Sequence, residues 1–222
     1  MKRVCAALTF LILAGCASSK PPNVVFLGSG IELRSVPGSS SMLEWSSRPG
    51  AIGSYHAFFF EPVVVLLGKA AKDNQASPEE LKELSEHLRA AFTAELARGG
   101  YTIADAPGDG VLRVRAALTE LVPVDPAKNV AAKAVGTVIG VGLFLPTVDI
   151  GQASIEVDMR DCKTNARVAA FADRKAGRAY FSGLGSYRRW GDVENAFGAW
   201  AKEFRGRLDQ IHAMDKASGG TK

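Results

Sequence analysis

Polar and apolar positions alternate with a period of two in some stretches of this chain and recur every three to four residues in others. Leu112, Val114, Ala116 and Leu118 fall on one face of a run from Val111 to Leu121, with Arg113, Arg115 and Thr119 on the other. That alternation predicts a strand with one wet face. Ala153, Ile155, Val157 and Met159 alternate with Ser154, Glu156, Asp158 and Arg160, and Val168 to Ala172 follows Asp161-Cys162-Lys163-Thr164-Asn165. A hairpin is expected there, with Asn165 in the left-handed turn position. Ala57 to Leu67 is rich in aromatic and β-branched residues, which predicts a first main strand buried on both faces, with Pro62 imposing a bulge or an edge position.

Leu81, Leu84, Leu88, Phe92 and Leu96 form a helical stripe. Ser77-Pro78-Glu79-Glu80 opens it with a capping box and a proline in the first turn, and Gly99-Gly100 closes it. A second stripe, Val193, Phe197, Trp200, Phe204, Leu208 and Ile211, follows Trp190-Gly191-Asp192, with Asp192 placed to cap the helix. Gly198 and Gly206 each cost that helix about 1 kcal/mol against alanine, so it needs a packing partner. Residues 23–50 carry short apolar pieces between Gly, Ser and Pro and predict turns and edge pieces. Taken together, the order predicts an α+β fold: a two-layer sandwich, with a mixed sheet of about four main strands and two helices packed on one face. One domain spans residues 23–212, and residues 213–222 are expected to be a flexible tail.

The start of the chain follows a different pattern. Met1-Lys2-Arg3 is basic, and Val4 to Leu13 is an apolar run broken only by Thr9. The run is about half of the roughly 20 residues a spanning helix needs, so it predicts a secretory signal over residues 1–15. Leu13-Ala14-Gly15-Cys16 fits the lipobox of bacterial lipoproteins at all four positions. That resemblance implies cleavage before Cys16, a diacylglyceryl group on its thiol and an acyl group on its new amino terminus, which together anchor stably where one chain would not. Residues 16–22 then form a lipidated tether. Ala17, which is not aspartate, resembles the sorting signal for the outer membrane, with the domain facing the periplasm.

The 222 residues are 47% apolar and 23% charged, which fits one compact domain. Part of the net charge of +4 leaves with Lys2 and Arg3. Cleavage also removes Cys5, so Cys162 is the remaining free thiol beside lipidated Cys16, and a disulfide framework is excluded. Export disfavours a nucleic-acid partner.

The residues give little chemistry. Gly28-Ser29-Gly30 is followed by Leu33 where a dinucleotide fingerprint needs glycine, and Gly183-Leu184-Gly185-Ser186 lacks the spacing of a nucleophile elbow. His56, His87 and His212 are far apart in sequence, and no metal or other cofactor is expected beyond the covalent lipid. Glu156 and Asp158 share a strand face and form the one carboxylate pair, expected as ion-paired solvent-facing residues. Arg174, Lys175, Arg178, Arg188, Arg189 and Trp190 make the candidate contact surface, with Tyr180, Phe181 and Tyr187 interleaved. Ala134 to Val148 is an apolar, glycine-bearing run too short to span a bilayer, expected to pack on the domain or on a neighbour.

Several stretches resemble an envelope lipoprotein family known as domain of unknown function 3313. They are Phe60-Glu61-Pro62-Val63, Gly110 to Thr119, Ala153-Ser154-Ile155-Glu156, Asp173-Arg174, Trp190-Gly191-Asp192, Ala196-Phe197 and Trp200-Ala201. Asn165 stands where the family's hairpin usually has glycine, which asparagine's tolerance of positive φ accommodates. The resemblance implies a lipoprotein address and supplies no catalytic residues. The expectation is therefore a non-enzymatic, lipid-anchored periplasmic binding or adaptor domain, with another envelope protein or itself as partner. The alternative is a homo-oligomeric assembly or pore subunit using residues 134–148.

Overall fold

A computed structural model of the chain describes residues 21–66, 76–124, 151–176 and 188–219. The strands are β1 (Arg34–Ser35), β2 (Leu43–Ser46), β3 (Ala57–Phe60), β4 (Val64–Val65), β5 (Thr102–Ile103), β6 (Val111–Val122), β7 (Gln152–Asp161) and β8 (Arg167–Ala176). Two helices, α1 (Pro78–Arg98) and α2 (Gly191–Gly219), and a 3₁₀ turn at Ala51–Ser54 complete the described elements. All eight strands form one open mixed sheet in the order β1-β2-β8-β7-β6-β3-β5, with β4 also on β6. The α+β class holds, but the expected sheet of about four strands is too small. The missing strands are two to four residues long, too short to express a period of two.

β6, β7 and β8 form the antiparallel centre, and β3, β4 and β5 add parallel pairings on the β6 side. Pro62 splits the expected first strand. Phe60 pairs with Val114 and Val64 with Ala117, so β3 and β4 together hold one residue more than β6 does over the same span. This strand is buried on one face, through Phe58 and Phe60, and not on both. At the other hairpin Asn165 takes φ 58°, as its position predicts, and Asp161 Oδ1 accepts from both the backbone and the hydroxyl of Thr164.

The capping box of α1 closes in both directions: Ser77 Oγ accepts from Glu80 N at 3.1 Å, and Glu80 Oε2 accepts from Ser77 N at 2.8 Å. Trp190 Nε1 and Arg189 also donate to Glu80, which ties the start of α1 to that of α2. These donors, the Ser77 backbone first among them, hold the Glu80 carboxyl below its ordinary value. Asp192 does not cap α2. Its Oδ2 accepts from Gly151 N at 3.2 Å, and burial pushes its carboxyl upward. Past Ile211, where the apolar stripe stops, α2 continues to Gly219.

Leu84, Leu88, Phe92 and Leu96 of α1 pack with Phe197, Trp200, Phe204 and Leu208 of α2 onto one face of the sheet. That face presents Leu112, Val114 and Leu118, Ile155 and Val157, and Phe171. β7 is buried on its other face too: Ser154, Glu156 and Asp158 are at most 3% exposed. The cover there is the N-terminal segment, bent at Phe26 and Leu27, whose Leu27 is buried.

Candidate functional site

The helix layer is narrower than the sheet. A helix with its side chains is about 10 Å across and strands lie about 4.8 Å apart, so two helices cover about four strands. β1 and β2 lie beyond that reach, and Glu44 and Ser46 of β2 are exposed on the helix side. An open cleft of about 430 Å³ lies between β2, the 3₁₀ turn, β8 and the C-terminal half of α2. Met42, Ile52, Met159, Phe171, Ile211 and Met214 give it apolar walls. Arg207 ties α2 to β2 beside it, with Nη1 donating to Glu44 Oε2 at 2.7 Å and Nη2 lying 3.0 Å from Met42 Sδ. The cleft's one arginine thus meets its one carboxylate. Sequence reasoning missed this site, since Glu44 and Arg207 stand 163 residues apart and belong to no motif.

The carboxylate pair is brought to one face, as the alternation predicts, but it is buried and not solvent-facing. Glu156 accepts three backbone N–H groups from the N-terminal segment: Val25 at 2.8 Å, Phe26 at 2.8 Å and Leu27 at 2.9 Å. Asp158 accepts from Arg167 Nε at 2.7 Å and Arg160 Nε at 2.9 Å, and Arg115 lies 3.8 Å away. Burial pushes the Asp158 carboxyl upward, but the hydrogen bonds and charges of Arg167 and Arg160 outweigh it and hold the group below its ordinary value. Both carboxylates spend their oxygens on the fold.

Asp173, Glu95 and Asp161 do the same. Asp173 accepts from Ser41 Oγ and Trp200 Nε1, a buried tie from β8 to α2. Glu95 holds Arg205 at 2.8 Å across the two helices. The Tyr55 hydroxyl donates to Asp161, and burial first, then this acceptor, push the phenol up to about 12.

The candidate contact residues fall into two groups. Arg174 and Lys175 end β8, where they pair with Glu120 at 2.7 Å and Glu203 at 2.8 Å. Arg188, Arg189 and Trp190 precede α2; Arg188 pairs with Glu194, Arg189 with Glu80, and Trp190 is buried. Arg188 is the outermost, at 70% side-chain exposure. Arg178, Tyr180, Phe181 and Tyr187 lie outside the described residues, as do Cys16, the signal and residues 134–148.

His56 and His212, distant in sequence, are adjacent in the fold. Their ring centroids are 4.2 Å apart, and the Tyr101 hydroxyl, which donates to Asp209, lies 3.5 Å from His212 Nδ1. Among the described residues no three His, Cys, Asp or Glu side chains are grouped to hold a metal ion, and no helix is long and apolar enough to cross a membrane.

Fold and site define the class as a single-sheet α+β domain with an apolar cleft at the sheet margin. The family model described as "Protein of unknown function (DUF3313)" matches residues 26–204, and the chain belongs to that family. No curated protein matches the sequence. Among solved structures, the PelC dodecamer from Paraburkholderia phytofirmans is 10% identical, covering 73% of this chain and 96% of its own, with a TM-score of 0.41. The hypothetical protein CT253 from Chlamydia trachomatis is 11% identical, with coverages of 69% and 98% and a TM-score of 0.39. A minor lipoprotein from Acinetobacter baumannii is 10% identical, with coverages of 72% and 95% and a TM-score of 0.32.

Proposed function

We propose that the protein is a lipid-anchored envelope lipoprotein, held to the outer membrane through Cys16, whose periplasmic domain binds an envelope protein without catalysing a reaction. The anchor rests on Leu13-Ala14-Gly15-Cys16 placed directly after a basic start and a short apolar run. The observation that carries the binding role is the cleft beside β2. Its walls are apolar and its Arg207 is neutralised by Glu44, so it suits an uncharged apolar segment of a protein partner. The buried carboxylates Glu156 and Asp158, engaged in structural bonds, support a non-enzymatic reading. The exposed Arg188, which is paired with Glu194, marks a ridge that is the second contact surface.

Photocrosslinking in intact cells tests this from two positions, Met214 on the cleft and Arg188 on the ridge. The expected result is one foreign envelope protein captured from Met214 and lost when Ile52 is replaced by glutamate. Capture from Arg188 alone would move the contact to the ridge, and capture of only the protein itself would favour a homo-oligomer. The anchor is tested separately: native mass should include the acyl groups, and Cys16→Ser should release the protein from membranes.

A further inference from the structure

The N-terminal segment and Glu156 form a latch. We infer that residues 24–27 dock reversibly in a groove on the sheet's second face, held by the Glu156 carboxylate, and that this latch sets how far the domain stands from its anchor. The reach rests on the proposed lipidation of Cys16; the docking does not.

Glu156 is fully buried, and both its oxygens are given to the backbone of three consecutive residues, Val25, Phe26 and Leu27. Backbone donors carry no side-chain identity, so this carboxylate recognises the segment by its conformation, a bend at Phe26 and Leu27 that turns three successive N–H groups to one side. The groove floor is small. Ala117 and Ala172 are the register partners of Glu156 on β6 and β8, and Ala170 is the partner of Asp158. Their side chains share the Glu156 face, since directly paired residues point to the same side of a sheet. On one side charged residues flank them: Arg115, whose guanidinium carbon lies 5.3 Å from the Phe26 ring centroid, and Asp158 with Arg160 and Arg167; on the β2 side the same pairing sets half-buried Leu43 beside Ala172 and Trp45 beside Ala170.

The segment itself buries little. Leu27 and Pro22 are buried, Phe26 is half-buried and Val25 is 52% exposed. Segments with few buried apolar contacts open at a fraction of the global stability. Lifting residues 22–33 would uncover alanines and charges, with Leu43 and Trp45 at the β2 margin, while the helix-side core stays closed. β1, which begins at Arg34 and pairs with β2, bounds the segment on the other side.

The consequence is a change of length. Docked, with Pro22 buried, residues 16–21 span at most about 20 Å between lipid and domain; released to residue 33, the tether spans at most about 60 Å.

Hydrogen exchange on the intact protein across a denaturant series tests the latch. The amides of Val25, Phe26 and Leu27 should be protected in native buffer, yet exchange through an opening at least tenfold more frequent than that of β7 and β8. Glu156→Gln should remove at least tenfold of their protection and leave β7 and β8 unchanged. If the three amides exchange only with global unfolding, or show no protection, the latch is wrong. Should Glu156→Gln fail to fold, the denaturant series on the unaltered protein decides alone. Cys16→Ser should leave the exchange pattern intact, so loss of the lipid anchor and loss of the latch read out separately.

Discussion

The two faces of the central sheet are both closed to water along β7, yet they are closed by different physics. On the helix side Ile155 and Val157 meet Phe197, Trp200 and Phe204, and the cover is held by apolar area with no directional requirement. On the opposite side Glu156 and Asp158 sit among alanines and arginines, and the cover is held there by three backbone hydrogen bonds of fixed geometry to Glu156. One strand alternates between the two regimes at every residue. A face closed by area resists opening in proportion to its size, whereas a face closed by a handful of bonds opens when those bonds are lost. Global stability therefore resides with the helices, and the N-terminal cover is free to have a separate equilibrium.

The largest effect should come from the helix side. Phe197→Ala, at a fully buried site, should cost about 3–5 kcal/mol in equilibrium denaturant unfolding. If it instead lowers protection of Val25 to Leu27 alone, the two faces are not independent. Asp158→Asn removes the charge that Arg160 and Arg167 share and should cost about 3 kcal/mol. Its pH signature follows from the depressed carboxyl. The stability it contributes is present above the unfolded value of 3.8 and is lost as the pH falls through the lower folded value, so acid unfolding of Asp158→Asn should be less steep there.

Ser77→Ala should cost about 1 kcal/mol, a loss confined to the start of α1 that leaves the second face untouched in hydrogen exchange. The smallest change, Asn165→Gly, should raise stability by about 0.5 kcal/mol or less, because glycine holds φ 58° without the side-chain penalty. A thermal melt of this variant that falls by several degrees would mean that the asparagine side chain does more than tolerate the turn.

Much of the helix side was legible. The stripe from Leu84 to Leu96 and that from Val193 to Leu208 each read directly as a buried face, and Ser77 with Glu80 as a cap, because these contacts recur at the local helical spacing. The short strands were not legible. β1, β4 and β5 hold two residues each and exist only because a longer neighbour supplies hydrogen-bond partners. Asp192 illustrates a different failure. Its position before an apolar stripe fits an N-cap, but Gly151, 41 residues earlier in the chain, takes its oxygen instead.

The sequence by itself determined the α+β class, both helices with their buried stripes, the Asn165 turn and the interruption at Pro62, since each is written in spacings of a few residues. Tertiary structure alone decided how wide the sheet is, where the helices leave a cleft and what Glu156 does. Alternation records that Glu156 lies opposite the core, not whether that side faces water or another segment. Its partners lie 129 to 131 residues away, and bonds to backbone N–H leave no trace in the identities of Val25, Phe26 and Leu27.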